Sequence, residues 1–110
     1  MGEVRSKSKY GSVVAYLDGD GEVHAGGKYG NVIGYIDSDG EVHEGGKYGS
    51  VIGYVASDGE IRARSKYGTV VGFVDPDGDV HEGSKSGSTV AWSGAPHVFG
   101  GGAVFLLLIR

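Results

Sequence analysis

Lys28-Tyr-Gly-Asn-Val-Ile-Gly-Tyr-Ile-Asp-Ser-Asp-Gly-Glu-Val-His-Glu-Gly-Gly46 is one copy of a unit that returns along the chain every 19 residues. Lys9, Lys28, Lys47, Lys66 and Lys85 mark the period. Tyr10, Tyr29, Tyr48 and Tyr67 follow the first four, and Gly11, Gly30, Gly49, Gly68 and Gly87 complete the signature. A fixed period of this size signals one supersecondary unit repeated in space. Within the unit, Asn31-Val-Ile-Gly-Tyr-Ile-Asp37 is rich in β-branched and aromatic residues and has no helical apolar period, so it reads as a strand. Asp37-Ser-Asp-Gly-Glu41 follows, and then the short run Glu41-Val-His-Glu44. The fourth copy spells the turn Asp75-Pro-Asp-Gly-Asp79, in which proline presets the negative φ of a type I turn and glycine takes the left-handed place. The combination is a three-residue hairpin loop closed by a glycine bulge.

That loop dictates a register in which Asp37 faces Glu41, Ile36 faces Val42 and Tyr35 faces His43. Strict alternation then places Val32, Gly34, Ile36 and Val42 on one face, with Ile33, Tyr35, Asp37, Glu41 and His43 on the other. A small position (Ala15, Gly34, Gly53, Gly72, Ala91) lets another backbone approach closely, while an aromatic position (Tyr16, Tyr35, Tyr54, Phe73, Trp92) fills the larger space opposite. A lone hairpin is marginal in water, so each must pack against its neighbours.

The ends indicate how the units assemble. Glu3-Val4-Arg5 aligns with Glu22-Val23-His24, so residues 3–8 form the second strand of a unit whose first strand is supplied by residues 85–93. With the whole repeats 9–27, 28–46, 47–65 and 66–84, this makes five. The expected fold is a single all-β domain of five 19-residue β-hairpin repeats closed into a ring or barrel, propeller-like and pseudo-fivefold, which removes exposed sheet edges. An open β-solenoid with half repeats as caps is the alternative. The tail breaks the period. Gly100-Gly-Gly102 reads as a flexible joint, and residues 103–110 read as an apolar strand that plugs the ring, covers an edge or joins a second subunit.

Composition narrows the classes. Glycine supplies 23 of 110 residues, against an average near roughly 7%. Because the glycines recur in phase with valines and tyrosines, and without a Gly-X-Y period, they indicate an ordered β-structure rather than collagen or disorder. A net charge of −4 argues against a nucleic-acid partner, and the lack of cysteine excludes disulfides and thiolate chemistry. The apolar run 103–109 is far shorter than the ~20 residues of a membrane-spanning helix. Met1-Gly-Glu-Val-Arg lacks the apolar core of a secretory signal. The expectation is therefore a soluble, cytoplasmic chain with no membrane and no nucleic-acid partner.

No nucleophile elbow, phosphate loop or zinc-protease motif is present, and the polar chemistry is spread evenly over the repeats, so no enzyme and no cofactor are expected. Arg5, His24, His43, Arg62 and His81 occupy one position around the ring, but arginine is a poor metal ligand and no metal site is assigned. The acidic turns set carboxylates at alternate places, as an EF-hand loop does. The third acid follows the glycine, however, and the distal glutamate is missing, so hairpin geometry accounts for them.

The grouping with most chemical promise joins an aromatic ring, two carboxylates and an imidazole on one hairpin face. It comprises Tyr35, Asp37, Glu41 and His43, and recurs as Tyr16, Asp18, Glu22 and His24 and as Phe73, Asp75, Asp79 and His81. The third copy is degraded to Tyr54, Ala56, Glu60 and Arg62. Such a set can stack on a sugar and hydrogen-bond its hydroxyls, with avidity compensating for weak single sites. Packing is the competing role for the same rings. Tyr35-Ile-Asp-Ser-Asp-Gly-Glu-Val-His-Glu-Gly45 resembles the hairpin of choline-binding cell-wall repeats in turn and length. Those repeats cage a quaternary ammonium with paired aromatic residues, usually including tryptophan; here glycine precedes Tyr35 and Trp92 is the sole tryptophan, so the family is not assigned. The expected function is a noncatalytic binding or interaction module, lectin-like in its repeated weak sites for a carbohydrate or other small ligand. The alternative is a structural element that forms homo-oligomers through residues 103–109.

Overall fold

Each Asp-x-Asp-Gly loop closes a hairpin in the expected register. In the second unit Ile36 pairs with Val42 and Tyr35 with His43, while the Asp37 amide donates to the Glu41 carbonyl at 3.0 Å. Gly40 has φ +97°, and Gly21, Gly59 and Gly78 repeat the left-handed conformation, which explains the glycine ending every turn. The structure, a computed structural model, describes residues 2–94 and 98–109. The strands are β1 (Glu3–Ser6), β2 (Val13–Leu17), β3 (Glu22–Ala25), β4 (Val32–Ile36), β5 (Glu41–Glu44), β6 (Val51–Val55), β7 (Glu60–Ala63), β8 (Val70–Val74), β9 (Asp79–Glu82) and β10 (Thr89–Ser93).

All ten join in one closed antiparallel barrel, and the solenoid is excluded. Closure runs through the two end strands: Val4 faces Ser93, Arg5 faces Trp92 and Ser6 faces Ala91. This is the register of a complete unit, in which Val23 faces Leu17 and His24 faces Tyr16. The ring is one continuous sheet, because each hairpin also hydrogen-bonds to the next across the Lys-Tyr-Gly loop. Tight turns therefore crowd one end of the barrel and Lys-Tyr-Gly loops the other. The outline is a disc of 32 × 32 × 21 Å, whose two equal extents mark the short direction as the pseudo-fivefold axis.

Strict alternation fails at one place in each unit. Between hairpins the register shifts by a bulge, so that Val23 faces Gly34 but His24 faces Val32. Ile33 consequently packs against the core while Val32 is 40% exposed, the reverse of the alternating assignment. The extra residue turns both side chains relative to the pleat. The Lys-Tyr-Gly glycine sits just beyond. A Cβ on Gly30 would collide with the Ala25 carbonyl oxygen, and the same clash recurs at Gly11, Gly49, Gly68 and Gly87. The residue that opens this loop is left-handed in all five copies, although Lys7 (φ 74°) and Arg64 (φ 77°) replace glycine in two.

The apolar tail is a helix and fills the barrel. Residues Val98–Val104 form an α-helix (α1) that continues in wider π-type turns over Phe105–Ile109. The expected apolar strand and flexible glycine joint are thus corrected; Arg110 lies outside the described residues. Ala103 and Val104 are fully buried among Val4, Val23, Val42, Ile61, Val74 and Val80 of the wall. The glycines give closeness rather than flexibility: a Cβ on Gly101 would collide with Ser93 Oγ, and one on Gly102 would lie 2.7 Å from Val74 Cβ. Ser93 holds the place that Leu17, Ile36, Val55 and Val74 hold in the other units, so the wall is thinnest where the helix leans on it.

The small wall position receives the plug's leucines. A Cβ at Gly72 would strike Leu106, one at Gly53 would strike Leu107, and one at Gly34 would come within 2.6 Å of Leu108. Three consecutive residues thus address three consecutive units. An α-helix advances about 100° per residue, whereas units of a five-part ring lie about 72° apart. The wider π turn reduces the step toward the ring's own angle.

Candidate functional site

All twelve expected site residues lie on the outer wall or at the acidic turns, half-buried, and the structure brings each group of four together. Tyr35 and His43 are cross-strand partners with ring centroids 5.9 Å apart, and Phe73 and His81 stand at 6.4 Å.

Each histidine bridges the two ends of its unit. His43 Nδ1 lies 2.9 Å from the Gly49 carbonyl oxygen, and Nε2 lies 3.0 Å from Asp37 Oδ2. His24 joins Gly30 and Asp18 in the same way, and His81 joins Gly87 and Asp75. A carbonyl and a carboxylate only accept, so both ring nitrogens must donate and the geometry calls for an imidazolium. The pKa directions agree. The Gly30 carbonyl followed by Asp18 raises His24, the Gly49 carbonyl followed by Asp37 raises His43, and Asp75 followed by the Gly87 carbonyl raises His81. Burial works to raise the Asp37 carboxyl, but its hydrogen-bonding partners, Asp39, His43 and the Glu41 amide, outweigh it, leaving it below the ordinary aspartate value. Asp18 is lowered by the same balance, with Asp20 and His24 as the main side-chain partners.

Where arginine replaces histidine the bridge is rebuilt. Arg5 donates to the Gly11 carbonyl at 2.9 Å and to Glu3 Oε1 at 2.8 Å, and Arg62 donates to Gly68 at 2.9 Å and to Glu60 at 3.0 Å. Those two units have Gly94 and Ala56 where the others have Asp18, Asp37 and Asp75. Histidine thus accompanies the turn aspartate, and arginine reaches a second-strand glutamate where the aspartate is missing. This pairing was visible within the sequence as correlated replacement, but the Gly carbonyl at its other end was not.

Asp18, Glu22 and His24, and likewise Asp37, Glu41 and His43, keep their donor atoms within 4.8 Å of one another, as do Asp75, Asp77 and Asp79. In the two histidine sets, a cation bound at Nε2 would have to displace the proton shared with aspartate. The arrangement as it stands is an ion-paired clasp between turn and loop.

The aromatic rings have a second duty. Tyr35 lies against Gly21 of the preceding turn, Tyr54 against Gly40, Phe73 against Gly59 and Trp92 against Gly78. Trp92 Nε1 also donates to the Asp77 carbonyl at 3.1 Å. Shallow clefts open between neighbouring turns, one lined by Asp18, Asp20, Tyr35 and Asp37 and its equivalent by Asp39, Tyr54 and Ser57. No described helix is long and apolar enough to cross a membrane. The strands, at four or five residues, are about half the 9–11 that a membrane barrel needs.

Neither a protein-family model nor a curated protein nor a solved structure matches this chain, so its own geometry carries the functional reading.

Proposed function

We propose that the protein is a noncatalytic binding module presenting the same weak site at several points around a rigid ring. The supporting observation is the recurring cleft in which the carboxylates of one turn flank the aromatic ring of the next unit. A hydroxyl-rich ligand suits it: the ring offers an apolar face, and Asp20 and Asp39 are exposed acceptors. Equal weak sites on a closed sheet gain from multivalent ligands, whereas catalysis needs one asymmetric cluster. The lectin-like reading and a cytoplasmic setting both belong to this proposal.

Binding to an array of glycans, followed by chemical-shift mapping, tests the reading. Tyr35→Ala should remove shifts at the cleft between the first and second turns while leaving the cleft at Tyr54 responsive. Uniform lack of binding, or shifts confined elsewhere, would sink it. The competing reading, assembly through residues 103–109, would have to use the half-buried residues 106–109, because Ala103, Val104 and Phe105 are buried inside the barrel.

A further inference from the structure

The loop end of the barrel carries a pattern that whole-chain composition conceals. Lys7, Lys9, Lys28, Lys47, Arg64, Lys66 and Lys85 all lie in the Lys-Tyr-Gly loops, and all are exposed. They are seven of the ten Lys and Arg residues, and among the described residues only Glu44 and Glu82 oppose them at that end. Twelve of the fourteen acids (Glu3, Asp18, Asp20, Glu22, Asp37, Asp39, Glu41, Asp58, Glu60, Asp75, Asp77 and Asp79) belong to the opposite end. An up-and-down barrel separates the two kinds of connection, so a chain of net charge −4 acquires one cationic rim.

Among the described residues, the same rim holds the most exposed aromatic ones. Tyr10, Tyr29, Tyr48 and Tyr67 are 87%, 92%, 93% and 87% exposed. Each has the ammonium of the preceding lysine 5.7–5.9 Å from its ring centroid. The tyrosine is not needed to hold the loop. The fifth loop has Ser86 in place of tyrosine and keeps the same bonds, Gly87 N–H to Ser84 O at 2.9 Å against Gly30 N–H to Gly27 O at 3.0 Å.

We infer that this rim docks on an anionic lipid bilayer surface. Pseudo-fivefold symmetry puts the loops at one height on the broad face of the disc, so a planar partner meets them together. Tyrosine is at home at headgroup level, and neighbouring lysines are attracted to anionic lipid. A single-stranded nucleic acid would draw on the same residue types, but its binders track the strand in a groove. Two clefts lie between turns, and a third runs up the wall past Phe73 and meets the rim only at Ser84 and Lys85, so none of these tracks around the rim from loop to loop. The acidic rim, facing away, orients the approach.

Flotation with vesicles of phosphatidylcholine alone, or with about 30% phosphatidylserine, tests this inference. The whole protein should float with the anionic vesicles only, and raising salt from about 50 to about 300 mM should weaken binding roughly tenfold or more. Tyr10→Ser, Tyr29→Ser, Tyr48→Ser and Tyr67→Ser combined, which copy the native fifth loop, should lower affinity about tenfold with circular dichroism and Tm unchanged. Lys9→Gln, Lys28→Gln, Lys47→Gln and Lys66→Gln combined should abolish binding, whereas Tyr35→Ala should leave it intact. No flotation at low salt, undiminished binding by the serine variant, or binding to a single-stranded oligonucleotide without binding to vesicles would each overturn the inference.

Discussion

The wall and the plug solve opposite problems. The wall repeats one hairpin five times and thereby eliminates every sheet edge, with the end strands β1 and β10 completing the circle. Repetition also commits each unit to the same small inward residue, and a ring of valines with glycine or alanine between them leaves a lumen it cannot fill. The plug repeats nothing. It is a short helix with glycines where it grazes the wall and leucines where the wall has glycines. Symmetry builds the container, and an asymmetric segment supplies the contents.

Removing residues 98–110 is the most severe way to separate the two. Without Ala103, Val104 and Phe105 the interior loses its centre, and we expect cooperative thermal unfolding to disappear and a hydrophobic dye to bind. A sharp calorimetric transition in the truncated chain would show that the wall is self-sufficient. Within the wall, Gly30→Ala should destabilise by about 3 kcal/mol, because its Cβ collides with backbone that cannot yield. Gly26→Ala, left-handed but in open space, should lose only about 1 kcal/mol. Denaturant midpoints will rank the pair, and equal effects would refute the collision argument.

Where wall meets plug, Leu107→Ala should reduce stability by about 2 kcal/mol, since the side chain is only partly buried. Gly53→Ala should be less harmful in that background than in the wild type, with a coupling near about 1 kcal/mol in a double-mutant cycle. Additivity would mean that the two do not share space. The smallest expected effect is electrostatic and confined to the wall. Since His24, His43 and His81 are raised above 6.5, their stabilisation is full below that pH and is lost as pH rises through the folded-state values. Asp18 and Asp37, lowered from 3.8, contribute above that value and lose their contribution as pH falls through the folded-state values. Tm should therefore peak between the two windows. Replacing one clasp by the arginine form, His43→Arg with Asp37→Ala, should remove that copy's alkaline loss, about 1 kcal/mol or less.

The wall was largely legible before any coordinates, because Asp75-Pro-Asp-Gly-Asp79 names a turn type and the turn type determines which residues face each other. The closing fifth unit followed from the placement of Glu3-Val4-Arg5 within the period. The bulge at Val32 and Ile33 was not legible, since alternation carries no mark of an inserted residue. Nor was the plug's helix. A short continuous apolar run such as Phe105-Leu-Leu-Leu-Ile109 has no period to distinguish strand from helix, and what decides is the shape of the lumen it enters. Alternation and the turn type suffice to put Tyr35, Asp37, Glu41 and His43 on one face, and those residues do share one. Their mutual hydrogen bonds, and the carbonyl six residues beyond each histidine, depend on how the loop folds back.

A socket built on a fivefold repeat offers a helix several similar ways to sit, and a molecule free to choose among them would be a mixture. Ser93 helps to break the tie, beside Ala15 and Ala91, which stand in two units where Gly34, Gly53 and Gly72 admit the leucines. It is the one shallow notch in an otherwise even ring of leucine, isoleucine and valine, and Gly101, between Gly100 and Gly102, is the helix residue that lies in it. The pair acts as a keyway, so that Ser93→Val should do more than crowd the interior: it should weaken the helix's preference for one azimuth, visible as multiplied resonances for its leucine methyls.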